Sequence, residues 1–274
     1  MLENAAAGNG TAISVRDVVV SYGGRRVLDG INLDVARGET MVLIGASGSG
    51  KSTLLRQIIG LEQPQAGQVL VNGMDLATKS KKDLKKIRLS IGVAFQDAAL
   101  FNSMSVEENL ALPLREHTRL AESTIRLMTW MKLSVVGLAD FGKSSPRELS
   151  GGMRKRAAVA RALSLDPQIL VFDEPSAGLD PIIAAELDEL ILALKRAFNM
   201  TVVVVTHEMA SAFHIADRMA MLYNGSLIAI GRPDELRKSA QPRLRQFFDR
   251  VPDQVLDPSV IQTYFERYLK GDFE

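Results

Sequence analysis

Cysteine is absent from the 274 residues. Disulfides, thiolate zinc sites and cysteine nucleophiles are therefore excluded, and the absence fits a reducing compartment. Histidine occurs three times, too sparsely for an imidazole-rich metal centre. Net charge is only +1, so there is no bulk electrostatic case for a nucleic-acid partner. No run approaches the ~18–20 apolar residues that cross a bilayer. The longest candidates, such as Met200 to Thr206, are of strand length, so any work at a membrane must pass through a partner. Residues 1–12 are rich in Ala, Gly and Asn without a basic start and apolar core, and read as a disordered tail rather than a signal peptide. What remains is an ordinary globular composition, 46% apolar and 24% charged.

Against that plain background one stretch stands out. Gly45-Ala46-Ser47-Gly48-Ser49-Gly50-Lys51-Ser52, followed by Thr53, fits G-x-x-x-x-G-K-[ST]. The apolar run Thr40 to Ile44 before it predicts a buried strand, and Leu54 to Gly60 after it predicts a helix. Glycines let the backbone approach phosphate without a Cβ in the way. The loop N–H groups and the helix N-terminus then face the anion. Lys51 adds a point charge for the outer phosphates, and Ser52 offers a hydroxyl to Mg²⁺.

The flanking pattern predicts strands over 13–22 and 27–35, a hairpin over 68–76 turning at Asn72-Gly73, and a strand over 91–95. The basic run 79–88 reads as a solvated helix face. From about 97 to 165 the signals are all helical: capping-box spacing at Ser105 to Glu108, then helices over 120–133 and 153–165. Strands return at 168–172, 201–206, 218–223 and 226–230. Between the first two lies a helix over 181–197, with Asp180 as N-cap and Pro181 in its first position. Beyond Gly231 the chain reads as a helical tail. Leu244, Phe247, Phe248 and Val251 share one face there, and Val260, Ile261, Tyr264, Phe265, Tyr268 and Leu269 share another.

Two further constellations carry chemistry. Ile169 to Phe172 is an apolar strand ending in Asp173-Glu174, and buried carboxylates are costly unless something cationic sits beside them. Asp173 is suited to hold Mg²⁺ and Glu174 to polarise an attacking water. In Leu149-Ser150-Gly151-Gly152-Met153, Ser150 can cap a helix and the glycines leave its first N–H groups open to an anion.

In this order the motifs resemble the nucleotide-binding subunit of ABC transporters, over about 13–231. The resemblance implies an α/β P-loop fold: a RecA-like core, an antiparallel β subdomain, the helical insert, and a helical extension over 232–274. It implies that Tyr22 stacks on adenine, that Gln96 binds Mg²⁺, that His207 contacts the γ-phosphate and that Asp180 communicates across a dimer. It also implies a homodimer, with ATP and Mg²⁺ held between the P-loop of one copy and Ser150, Gly151 and Gly152 of the other. Met153, where the family usually has Gln, together with the strings 112–118 and 242–248, resembles the ATPases of Mce/Mla-type lipid transporters. That narrower likeness implies a permease dimer, a STAS-domain partner and an MCE-domain protein. It implies work at the cytoplasmic face of a bacterial inner membrane, moving phospholipid between inner and outer membranes. Two alternatives share part of the pattern. An ATPase of a solute transporter has the same catalytic motifs. A soluble ABC protein of DNA repair would carry a long coiled coil between Lys51 and Ser150, where no heptads are sustained, and one of translation usually carries two cassettes.

Overall fold

The computed structural model describes residues 10–78, 80–252 and 267–269. The chain divides into two compact units, one through Leu236 and one from Arg237. Two sheets dominate the first. The smaller is antiparallel, in the order β2-β1-β4-β5. It comprises β1 (Thr11–Tyr22), β2 (Arg25–Ala36), β4 (Ala66–Val71) and β5 (Met74–Asp75). The larger runs β10-β9-β3-β8-β7-β6, from β3 (Thr40–Ile44), β6 (Ile91–Ala94), β7 (Ile169–Asp173), β8 (Thr201–Val205), β9 (Arg218–Tyr223) and β10 (Ser226–Gly231). Its strands are parallel except the edge strand β10.

Composition explains the difference. β3 and β8 are buried at every residue, as expected of strands covered on both faces. β2 instead alternates buried Ile31, Leu33 and Val35 with more exposed neighbours, as a half-solvated strand does. Helix α1 (Lys51–Ile58) packs against β1, β2 and β4 of one sheet and β8 of the other. Its Leu54, Leu55 and Ile58, with Ile59 just beyond, join both sheets in one core with Leu28, Leu43 and Val203. The helix that opens on the glycine loop is thus fixed from both sides.

Between β6 and β7 the described residues contain only helix and turn: α3 (Val106–His117), α4 (Glu122–Val135), two short 3-10 turns and α5 (Gly151–Ala162). The capping box at Ser105 is formed: Ser105 N–H donates to Glu108 Oε2 at 2.7 Å, and Glu108 N–H to Ser105 Oγ at 3.2 Å. Helix α2 (Lys81–Leu89) carries the basic run and buries only Ile87, while Lys79 lies outside the described residues. Helices α6 (Pro181–Phe198), α7 (Met209–Ile215) and α8 (Pro233–Lys238) follow. In the second unit, α9 spans Pro242–Phe248.

Three expectations are corrected, and one helix, α7, is added. The helix expected over 153–165 begins at Gly151, because Ser150 Oγ accepts the Met153 N–H at 3.3 Å, so the glycines form its first turn. Leu76 falls outside the hairpin strand, which ends at Asp75, although its N–H still reaches Val69 O. Val251 does not extend the face of Leu244, Phe247 and Phe248, since α9 ends at Phe248 with Asp249 as its C-cap. Helix α7 had no clear periodicity in so short a segment. Of the second tail stripe, only Tyr268 and Leu269 are described, and both are exposed; Val260, Ile261, Tyr264 and Phe265 lie outside the described residues.

One close approach sets where α5 lies. A Cβ on Gly92 in β6 would come within 2.3 Å of the Ala162 carbonyl oxygen and 2.9 Å of Pro167 Cγ. Gly92→Ala is expected to lower stability by about 1–3 kcal/mol, the usual cost of overpacking. Urea denaturation checks it, and an unchanged midpoint would show that α5 can move away.

Candidate nucleotide site

The larger sheet decides which residues meet. In an open parallel sheet, ligands bind at the carboxyl ends of the strands. β3 ends in the glycine loop, β7 in Asp173-Glu174, β8 in Thr206-His207 and β6 in Phe95-Gln96. The register holds these ends level: Phe172 pairs with Ala94 and Val204, and Asp173 with Val205.

The loop needs its glycines for two reasons. Gly45 and Gly50 have φ of 147° and 109°. A Cβ on Gly45 would lie 2.3 Å from Leu222 O, and one on Gly50 would lie 2.7 Å from Leu28 Cδ2. Gly48, at φ 75°, faces open space, so its constraint is backbone conformation alone. Ala46, Ser47 and Gly48 are exposed, while Gly45, Ser49 and Gly50 are buried. Lys51 is buried, and its Nζ donates to the carbonyls of Gly45 at 2.7 Å and Ala46 at 3.0 Å. Burial pulls its pKa below the ordinary lysine value, against the opposing attraction of Glu174 and Asp173. Ser52 is exposed and Thr53 half-buried on α1.

Asp173 is half-buried, and its Oδ1 has no hydrogen-bond partner. Burial raises its pKa, and the adjacent Glu174 raises it further, while Arg56, Lys51 and Lys155 oppose the shift. Glu174 takes a left-handed backbone conformation, φ 48°, uncommon for a non-glycine residue. Its N–H donates to Val205 O at 2.8 Å, which ties it to β8. Its Oε2 lies 2.9 Å from His207 Nδ1 and accepts the His207 main-chain N–H at 3.3 Å. Gln96 is exposed, and its main-chain carbonyl accepts from Lys155 at 2.5 Å.

The remaining predicted residues lie on other elements. Tyr22 ends β1 with an exposed ring, and its hydroxyl donates to Glu62 Oε2. That bond holds the phenol pKa above its ordinary value. Asp180 caps α6, with Oδ1 accepting the N–H groups of Ile182 and Ile183 at 3.1 Å each. Ser150, Gly151 and Gly152 form an exposed to half-buried turn packed on α6, where a Cβ on Gly152 would meet Ile183 Cγ2 at 2.6 Å. Sequence reasoning gave Gly152 an anion-facing role and missed this packing demand. It also gave no role to Lys155, two residues beyond Met153.

The structure therefore gathers Lys51, Asp173, Glu174, His207 and the Gln96 main chain at one edge of the parallel sheet. The arrangement can hold a polyphosphate on the loop, a cation at the bare Asp173 oxygen, and a proton acceptor nearby. These features define a P-loop nucleotide-binding cassette. The ABC transporter family profile matches residues 28–177, and the chain belongs to the ABC transporter family. It is an ATP-hydrolysing cassette of that family. The "Probable ribonucleotide transport ATP-binding protein mkl" of Mycobacterium leprae is 45% identical over 88% of this chain and 69% of its own length. The "Intermembrane phospholipid transport system ATP-binding protein MlaF" of Escherichia coli K12 is 41% identical over 88% of this chain and 90% of its own. Its namesake in Haemophilus influenzae is 40% identical over 97% and 100%. Among solved structures, cbiO1 of Clostridium perfringens, part of a cbiONQ transporter complex, superposes with TM-score 0.77 at 29% identity, covering 88% of this chain and 99% of its own. A dimeric ATP-binding cassette in a post-hydrolysis state with ADP and Pi gives 0.74 at 30% identity, over 81% and 98%.

The raised Asp173 pKa carries a stability consequence. The ionised carboxylate disfavours the folded chain. That penalty is absent below the ordinary pKa of 3.8 and complete once pH exceeds the raised folded value. Without nucleotide, Asp173→Asn is expected to melt higher than the parent at pH 7, with the difference shrinking as pH falls towards 4. Thermal unfolding across that range checks it, and a variant melting lower at pH 7 contradicts it.

Proposed function

We propose that this chain is the ATPase subunit of a phospholipid transporter, working as a homodimer. The observation that carries its chemistry is the bare Asp173 Oδ1 beside the Lys51 loop. Asp173, Ser52 and Gln96 fit a Mg²⁺ bound with ATP: the orphaned carboxylate oxygen gains the partner it lacks, and burial favours a cation there. When bound, Mg²⁺ neutralises charge on the outer phosphates. The chain's own residues do the rest. Loop N–H groups from Gly45 to Thr53 and the Lys51 ammonium hold the phosphates. Tyr22 offers its exposed ring to adenine. Glu174, fixed by Val205 and His207, orients the attacking water, and His207 reaches the γ-phosphate. The exposed Ser150-Gly151-Gly152 turn supplies helix N-terminal N–H groups to the nucleotide of the second copy, and Asp180 marks the dimer seam.

The boundaries proposed are a cassette over 13–231, with its helical insert at about 97–165, and an extension over 232–274. Phospholipid as cargo is supported by the MlaF relatives, whose names specify intermembrane phospholipid transport and which match nearly end to end. The ribonucleotide reading in the mkl name is the competing one; those relatives are longer, and the chain spans 69% of the first. Among the described residues no helix is long and apolar enough to cross a membrane. Transport then needs a permease dimer, and the proposed complex adds a STAS-domain and an MCE-domain protein at the cytoplasmic face of the inner membrane. Helix α4 leaves Leu127, Trp130, Met131 and Val135 exposed on one face, apolar surface of the kind that assemblies cover.

Two measurements test this reading. Glu174→Gln is expected to bind MgATP with near-parental affinity while hydrolysis falls about a hundredfold or more; parental turnover would remove Glu174 from its role. Co-purification on a tagged chain, with mass spectrometry of the bound material, is expected to return an integral-membrane permease and phospholipid. A solute-binding protein in place of both would favour the importer alternative.

A further inference from the structure

Lys155 is the unassigned residue with the most consequential contacts. It lies on α5, one turn beyond Ser150, Gly151 and Gly152. The side chain is half-buried, and the charge of Asp97 acts on it along with those of Glu174 and Asp173. Its Nζ donates to the Gln96 carbonyl at 2.5 Å and to the Glu174 carbonyl at 3.2 Å. Those two carbonyls follow the neighbouring parallel strands β6 and β7. One ammonium therefore joins two adjacent strand ends to the helix that opens on the glycine turn.

Two neighbouring observations show that α5 grips this region at more than one point. Arg161, further along the same helix, donates to the Ala99 carbonyl at 2.5 Å. Between these anchors Ala98 and Ala99 both hold left-handed backbones, φ 60° and 49°. Consecutive non-glycine residues persist there only when the surroundings over-determine them. Glu174 is itself left-handed, and its two ends are held separately: His207 at the carboxylate, Lys155 at the carbonyl. Hydrogen bonds from a charged donor are roughly twice as strong as neutral ones, so the ammonium is suited to hold a strained peptide.

We propose that Lys155 is a positioning residue that couples the Ser150–Gly152 turn to the Glu174 and Gln96 backbones of its own chain. This rests on the reading of Glu174 as the residue that orients water, and of the turn as a contact for nucleotide on a second copy. A nucleotide engaged by the turn displaces α5, and Lys155 transmits that displacement to the carboxylate at this chain's own P-loop. Each ATP then influences the geometry at the other site through a single side chain.

The test uses the full chain and three variants: Lys155→Met, which keeps the stem and deletes the ammonium; Lys155→Arg, which keeps a donor; and Glu174→Gln. For Lys155→Met, maximal ATP turnover is expected to fall about tenfold, with MgATP affinity by calorimetry within about twofold of the parent. Its melting temperature is expected to match the parent, and Lys155→Arg to recover most of the turnover. Unchanged turnover in Lys155→Met, with Glu174→Gln inactive, overturns the proposal and leaves the Glu174 reading intact. Turnover, affinity and melting temperature falling together, or no recovery with Arg, reduces Lys155 to a fold contact and also overturns it. Parental turnover in Glu174→Gln would instead remove the reading on which the proposal stands.

Discussion

Negative charge held at the ends of buried strands is the constraint on which the rest depends. Asp173 and Glu174 follow one another at the end of β7, and burial disfavours the ionised form of Asp173. The fold answers with cations drawn from separate elements: Lys51 and Arg56 of α1 and Lys155 of α5. None neutralises Asp173 through a direct hydrogen bond, and its Oδ1 stays bare. The site is thus biased against its own carboxylate and towards a ligand that brings positive charge. That bias suits the proposed substrate, a polyphosphate carrying a divalent cation.

Glycine does different work at different places. In the P-loop, Gly45 and Gly50 combine an unusual backbone with walls that leave no room for a Cβ, whereas Gly48 faces outward. In α5, Gly152 has a helical environment, and its requirement comes from Ile183 on α6. In β6, Gly92 lets a helix backbone lie against the strand. All are written as the same letter. The P-loop set and Gly152 belong to local patterns that a reader of the chain can interpret, but the packing demand on Gly152 and the need for Gly92 are not written in them.

The helical insert is connected to the sheet by few but specific bonds. Lys155 reaches two strand ends, and Arg161 holds the bend that follows Gln96. Within the insert, Asn109 is fully buried; its amide donates to the Phe101 carbonyl at 3.1 Å and its oxygen accepts the Phe101 N–H at 2.7 Å. The segment after β6 is therefore held from α5 and α3 together. Few bonds separate the insert from the Glu174 backbone.

By itself the sequence determined the elements whose cause is local. The glycine loop with its strand and helix, the capping box at Ser105, the Asn72-Gly73 hairpin turn and the Asp180 cap all follow from residues within a few positions of one another. So does the pairing of an apolar strand with Asp173-Glu174. The tertiary structure decided what depends on contacts between distant segments. It packed Gly152 of α5 against Ile183 of α6, tied the Tyr22 hydroxyl to Glu62, and bound His207 to Glu174 across 33 positions. It also turned Lys155 inward over a 59-residue separation to a carbonyl. A main-chain carbonyl has no side-chain identity, so no residue pattern announces it as a partner; the register of β6 against β7 alone puts it there.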